Sequence, residues 1–77
     1  MEYLLVLNAD EYFRRFEEIK PYILSEGLIG IYPDGTQMNL SYRSEKDRDR
    51  VHDTIRGTVK FLAKAEISTA ERLRPEM

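Results

Sequence analysis

The stretch that decides the fold is "IYPDGTQMNLSYR", Ile31–Arg43, in which a turn is followed by a regular alternation of apolar and polar side chains. Successive side chains of a strand point to opposite faces, so the apolar row of this stretch lies on the core side. That row consists of Met38, Leu40 and Tyr42. The turn joins this strand, at 36–43, to an apolar run at 28–32, and strands joined so closely pair antiparallel. The stretch therefore predicts a β-hairpin.

The turn of this hairpin is "YPDG", Tyr32–Gly35. Proline suits the second position of a type I turn because its ring fixes φ, and glycine suits the position that closes the turn. We therefore predict a type I turn followed by a bulge, with Pro33 at the second position and Gly35 at the end.

Upstream of the hairpin, "YLLVL", Tyr3–Leu7, is apolar on both faces, which is typical of a central strand. Asn8 and Glu11 then form a capping box that begins a helix. Apolar residues recur at helical spacing as far as Leu24, and a C-cap is expected at Gly27. Pro21 is expected either to kink the helix or to restart it at "PYILSE".

Downstream of the hairpin, Ser44 is placed to cap a second helix, which is predicted to run to about Lys64. Its buried face would consist of Val51, Ile55, Thr58, Val59 and Leu62. The segment that follows, Glu66–Leu73, fits either a fourth, edge strand or a last helical turn capped by Ser68. The strand is the favoured interpretation.

These elements predict a single α+β domain spanning residues 1–77, with one small antiparallel sheet and two helices on one of its faces. The element order is β-α-β-β-α, and the fourth edge strand would complete a ferredoxin-like arrangement. In that topology the first strand is central, which agrees with its apolar character on both faces.

Composition excludes several classes of protein. The chain has no cysteine, so disulfides and thiolate chemistry are absent and a reducing compartment is expected. The early apolar run is too short for a signal peptide or a membrane span, so we expect a cytoplasmic protein that makes no membrane contact. The net charge of −2 and the pI near 5.4 give the whole molecule no attraction for nucleic acid.

No motif in the chain points to catalysis. His52 is the single histidine, and Asp49 and Asp53 are the carboxylates near it on the predicted helix. One helix does not supply the converging ligands of a metal site, so a structural histidine is the favoured reading. Nucleophile and phosphate-loop spacings are missing. We therefore expect no enzymatic activity, no cofactor and no metal.

Charge is distributed unevenly along the chain. Residues 1–27 carry six acids and three bases, whereas residues 43–64 carry four acids and seven bases. The helix dipole explains much of this pattern, because acids lie in the first half of the second helix and bases in its second half. An alternative function is a nucleic-acid-binding accessory protein that contacts phosphates through this basic helix. Its candidate residues, joined by Arg43 at the end of the hairpin, are Arg48, Arg50, Arg56, Lys60 and Lys64.

The leading hypothesis is a small protein-binding module that acts as an accessory regulator, or as an inhibitor of the phage type, by docking on a protein partner. If helices cover one sheet face, half of "YLLVL" lies on the other face, beside a polar rim. The predicted rim residues are Gln37, Asn39, Ser41 and Arg43. A homodimer through the sheet is a further expectation. The C-terminal segment is the alternative cover for this face. For an inhibitor, the candidate acidic surface consists of Asp10, Glu11, Glu17 and Glu18.

Overall fold

The computed structural model describes residues 1–68, which form four strands and three helices. The fold is α+β with one antiparallel sheet, as predicted, but it contains three helices instead of two. In chain order the elements are β1 (Glu2–Asn8), α1 (Ala9–Arg14), α2 (Phe16–Ile23), β2 (Leu28–Asp34), β3 (Gln37–Tyr42), α3 (Glu45–Ile55) and β4 (Phe61–Ile67).

The strands lie side by side in the order β2-β3-β1-β4, and every neighbouring pair is antiparallel. The central position predicted for the first strand is confirmed, since β1 pairs with β3 on one side and with β4 on the other. Leu5 lies opposite Leu40 of β3 and opposite Lys64 of β4. The edges of the sheet are therefore β2 and β4.

The core lies between the sheet and the helices. Its buried members are Leu5, Leu7, Tyr12, Ile19, Ile23, Met38, Leu40, Tyr42, Val51, Ile55 and Val59. The predicted inward row of β3 is confirmed, because all three of its side chains belong to this cluster. The hydroxyl of Tyr42 donates to the carbonyl of Ile23 at 3.0 Å, so the core contains a polar link from β3 to the end of α2.

The first helical region is broken at Arg15, so the prediction of a helix kinked or restarted at Pro21 was wrong. Asn8 does cap α1, since its side-chain oxygen accepts from the backbone N–H of Glu11 at 3.0 Å. Pro21 lies inside α2. The break allows both short helices to turn an apolar side to the sheet, with Tyr12 buried from α1 and Ile19 from α2.

The loop after α2 also differs from the prediction. The helix ends at Ile23 with Leu24 as its C-cap, so Gly27 does not cap it. Gly27 has φ +97°, and its carbonyl accepts from the N–H of Arg43 at 2.8 Å. Its left-handed backbone therefore allows the loop to hydrogen-bond to the residue that follows β3, and it has no part in ending the helix.

The hairpin turn lies two residues later than predicted. Pro33 belongs to β2 and is opposite Met38, so the connecting residues are Gly35 and Thr36. Gly35 has φ +60°, while Thr36, like every non-glycine residue among residues 1–68, has no positive φ, and these signs are those of a type II′ turn. A primed turn matches the twist of the two strands, which explains why it replaces the predicted type I turn.

The second predicted helix is shorter than expected, because α3 ends at Ile55. Val59 is still buried, but Leu62 lies on β4 and is 50% exposed. Gly57, a poor helix former, follows the end of α3, and the chain then returns to the sheet beside β1. The fourth edge strand therefore exists, but at Phe61–Ile67; residues 69–73 of the predicted strand lie outside the described residues.

Candidate functional site

The candidate site is the sheet face opposite the helices, here called the helix-free face. Leu5 and Leu40 point to the helical side of the sheet. Side chains alternate along each strand, so the residues next to Leu5 in β1 and next to Leu40 in β3 point to the other side. The described residues on the helix-free face are Glu2, Leu4, Val6, Tyr32, Gln37, Asn39, Ser41, Ala63, Ala65 and Ile67. The division of the two rows of β3 is thus the one that its alternating sequence indicated.

The centre of this face is less accessible than the sequence suggested. Leu4 and Val6 are only 8% and 9% exposed. Ser41 is fully buried, and its hydroxyl donates to Oε1 of Glu2 at 2.6 Å. Glu2 makes other contacts besides this one. Ser41 therefore does not belong to an accessible rim, because it is engaged across the sheet with a buried carboxylate.

Sequence reasoning did not identify Glu2 as a buried residue. Its position two residues before Leu4 in the same strand was the available signal, since strand period places both side chains on one face. A buried carboxylate requires hydrogen-bond partners, and the serine across the sheet provides one.

Of the other predicted rim residues, Gln37 and Asn39 lie on the face, and Arg43 follows the end of β3. Gln37 and Arg43 are exposed, and Asn39 is partly buried opposite Val6. Beside them on β2, the ring of Tyr32 covers Gly30, because a Cβ built on Gly30 would meet the phenol carbon at 2.7 Å. The ring shields the backbone of an edge strand where a side chain is missing.

The candidate acidic surface is only partly available. Glu11 is partly buried, and its carboxylate accepts from the backbone N–H of Lys60 at 2.6 Å, which ties α1 to the loop before β4. Glu18 is paired with Arg15 at 3.1 Å. Asp10 and Glu17 are exposed. Two of the four carboxylates thus have contacts within the domain.

The candidate nucleic-acid residues do not form a helical stripe, because α3 ends at Ile55. Arg56 is the C-cap of α3, Lys60 lies in the following loop and Lys64 lies on β4. Arg50 pairs with Asp47 at 3.2 Å. Arg56 and Lys60 are both exposed and lie four positions apart in sequence.

Arg48 is buried, contrary to the prediction of an exposed phosphate contact. Its Nη1 donates to the carbonyl of Ala65 at 3.3 Å, and its Nε donates to Asp49 at 3.1 Å. The guanidinium carbon also lies 5.6 Å from the centre of the Tyr3 ring. Arg48 therefore joins α3 to the sheet, as a buried arginine with matched partners does.

Asp49 links α3 to the edge strand. Its Oδ1 accepts from Nζ of Lys64 at 2.9 Å as well as from Arg48. The hydrogen bond from Lys64 lowers the pKa of this carboxyl, with Arg48 acting in the same direction. The pair is partly exposed, so its stabilising effect is small.

His52 packs as a structural side chain. Its ring centroid lies 4.4 Å from that of Phe61, and its Nδ1 lies 3.1 Å from Oδ1 of Asp53. Asp49, the other predicted neighbour, is engaged with Lys64. Within residues 1–68, no group of three or more histidine and carboxylate side chains is arranged to hold a metal ion.

Among the helices described, none is long and apolar enough to cross a membrane. Comparison with known proteins found no matching protein-family model, no matching curated protein and no matching solved structure.

Proposed function

We propose that this protein is a small non-catalytic protein-binding module that regulates or inhibits a partner protein by docking on it. The docking surface is the β2–β3 half of the helix-free face. The observation that carries this proposal is that α1, α2 and α3 lie on one side of the sheet, while accessible polar side chains border an apolar strip on the other.

The composition of this half fits a protein interface. Tyr32 offers a partly buried aromatic ring opposite the amide of Asn39, and Gln37 and Arg43 offer an exposed amide and an exposed guanidinium at the two ends of β3. Tyrosine and arginine are enriched at the centres of protein interfaces, and polar rims surround them. Ser41 has a different role in this proposal: it holds Glu2 beneath the surface and does not contact the partner.

Within this proposal the fold is a ferredoxin-like arrangement. The strand order β2-β3-β1-β4 and the helices between β1 and β2 and between β3 and β4 support it. The break at Arg15 is the departure from the simple pattern, since it divides the first helix in two.

The test is an affinity capture from native lysate with matched variants. Asn39→Arg adds a long charged side chain to the middle of the proposed surface and should abolish capture of the partner. Lys20→Ala removes a charge from exposed helical surface outside every candidate site and should leave capture unchanged. A partner retained equally by both variants contradicts the proposed surface, provided that circular dichroism shows both to be folded.

The second candidate is a nucleic-acid-binding accessory protein. Arg56 and Lys60 favour it, because both are exposed at the end of α3. The burial of Arg48 and the pairing of Arg50 and Lys64 with aspartates leave fewer cations for phosphate contacts.

A further inference from the structure

We propose that a second copy of this chain pairs antiparallel with the outer edge of β4, about a two-fold axis at Ala65. The two four-stranded sheets would join into one continuous sheet. This inference goes beyond the proposed docking surface, because it concerns the edge of the sheet and names the strand, the register and the residues that pair.

The first step concerns the direction of the backbone groups of β1. The N–H of Ala9 donates to the carbonyl of Thr36 at 2.8 Å, and this pair continues the register in which Asn8 lies opposite Gln37. Bonding directions alternate along a strand. Odd-numbered residues of β1 therefore turn their N–H and C=O groups to β3, and even-numbered residues turn theirs to β4.

The second step carries this alternation to β4. The even-numbered residues of β1 lie opposite Ala63, Ala65 and Ile67, so these three residues turn their backbone groups to β1. Lys64 and Glu66 therefore point theirs to the outer edge. Within the described part of the chain, no strand pairs with that edge.

The third step is the choice of register, which charge decides. A two-fold axis at Ala65 places Lys64 of each copy opposite Glu66 of the other, and both residues have outward backbone groups. Axes at Lys64 or at Glu66 would place like charges directly opposite each other, which is destabilising. Among these three registers, only the one centred on Ala65 pairs opposite charges.

The other face of the pair agrees with this register. With the axis at Ala65, the two copies of Ala65 face each other, and Ala63 lies opposite Ile67. Lys64 keeps its contact with Asp49 on the helical side, so Asp49, Lys64 and the second copy's glutamate would form one charge network. Small apolar side chains and alternating charges thus match across the two-fold axis.

The opposite edge of the sheet is less suited to such pairing. The N–H of Arg43 donates to the carbonyl of Gly27, so odd-numbered residues of β3 face β2. The register then turns Ile31 and Pro33 to the outer edge of β2. Proline has no N–H to donate, and the register shift between Leu28 and Gly30 distorts the same strand.

The test is the mass in solution, measured by sedimentation equilibrium over a range of protein concentrations. Wild-type protein should show a monomer–dimer equilibrium. Glu66→Lys and Lys64→Glu each place like charges opposite each other and should each raise the dimer dissociation constant roughly tenfold or more. An equimolar mixture of the two variants restores opposite charges at both pairs and should form heterodimers. A wild-type protein that stays monomeric, or a mixture that gains no dimer, overturns the proposal.

A second variant removes a backbone donor at this edge together with the Glu66 carboxylate, and leaves the contact between Asp49 and Lys64 in place. The N–H of Glu66 points outward, so Glu66→Pro removes no hydrogen bond to β1 but removes a donor to the second copy. It should fold, as judged by circular dichroism, and be monomeric. Glu17→Lys, on exposed helix, is the control for added positive charge and should keep the wild-type dissociation constant. A folded Glu66→Pro protein that dimerises like wild type contradicts this edge.

The outcomes separate the two proposals. Loss of the dimer in Glu66→Pro with continued capture of a lysate partner supports the edge and shows that docking on the partner is independent of it. A monomeric wild-type protein that still loses its partner in Asn39→Arg overturns the dimer and supports the docking surface.

Discussion

Among single residues, Ser41 and Glu2 are polar side chains that strand alternation predicts to be exposed and that the structure buries. Both lie on the helix-free face, and the serine hydroxyl donates to the glutamate carboxylate across the central strands. Ser41→Ala leaves a buried carboxylate with one donor fewer, which should lower the free energy of unfolding by about 1–3 kcal/mol. Urea denaturation measures the change.

The control for that substitution is Thr54→Ala. Thr54 is exposed, and its hydroxyl donates to the carbonyl of Arg50 within α3. Water replaces such a bond, so the change in stability should stay within about 0.5 kcal/mol. Equal effects of the two substitutions would show that Ser41 has no special role.

Tyr42 determines an alkaline limit of stability. Burial raises the pKa of this phenol well above its ordinary value near 10, and burial raises the pKa of Tyr12 in the same direction. The unfolded chain therefore ionises first as the pH rises. The contribution of these two phenols to the unfolding free energy should be constant below about pH 10, and the unfolding free energy should fall above it, since the unfolded state releases their protons first.

Tyr42→Phe tests this assignment. At neutral pH it removes the hydrogen bond to the Ile23 carbonyl and should lower stability by about 1 kcal/mol. Above about pH 10 its stability should fall less steeply than that of the wild type, because one of the two shifted groups is gone. Denaturation curves collected across this pH range measure how steeply the stability falls. A slope equal to that of the wild type would contradict the prediction.

At the scale of the elements, local patterns predicted the strands better than the helix ends. The apolar rows of β1 and β3 follow from strand period, which depends on neighbouring residues only. The break at Arg15 depends on how the two short helices pack on the sheet. The end of α3 at Ile55 depends on Gly57, which follows it, and on the pairing of the next strand with β1. Helix periodicity alone continued past both points.

Two glycines allow this scale to be tested. Gly27 has φ +97°, and a Cβ there would lie 2.8 Å from the carboxyl carbon of Asp47. Gly27→Ala should therefore lower the free energy of unfolding by about 1–3 kcal/mol. Gly57 has ordinary φ and open space around it, so Gly57→Ala should be neutral or stabilising by up to about 1 kcal/mol. Thermal unfolding of the two variants compares them directly.

For the whole molecule, the distribution of charge bears on the nucleic-acid alternative. Binding through Arg56 and Lys60 should appear as a shift of labelled DNA or RNA whose affinity falls as salt rises. With two phosphate contacts, the double substitution Arg56→Ala, Lys60→Ala should reduce the salt slope by about 2. Absence of a shift at low salt would remove nucleic-acid binding as a candidate function. Lys46→Ala, which changes another exposed base, is the control.

The candidate site was predictable only in part. Gln37 and Asn39 lie on the helix-free face, where strand alternation placed them, and Arg43 is exposed just beyond the end of β3. The engagement of Ser41 with Glu2, of Glu11 with Lys60 and of Arg48 with β4 joins residues far apart in the chain. Periodicity carries no information about such contacts.

The sequence by itself determined the α+β class, the central place of β1 and the two rows of β3, because side-chain period is a local property of the backbone. Only the tertiary structure decided where the helices stop, where β4 begins and which polar residues are buried. Those features result from competition between helix propensity, sheet pairing and burial across distant segments. Lys64 and Glu66 of β4 depend on both levels. The sequence gives their charges, and the register with β1 decides that their backbone N–H and C=O groups point to the outer edge of the sheet.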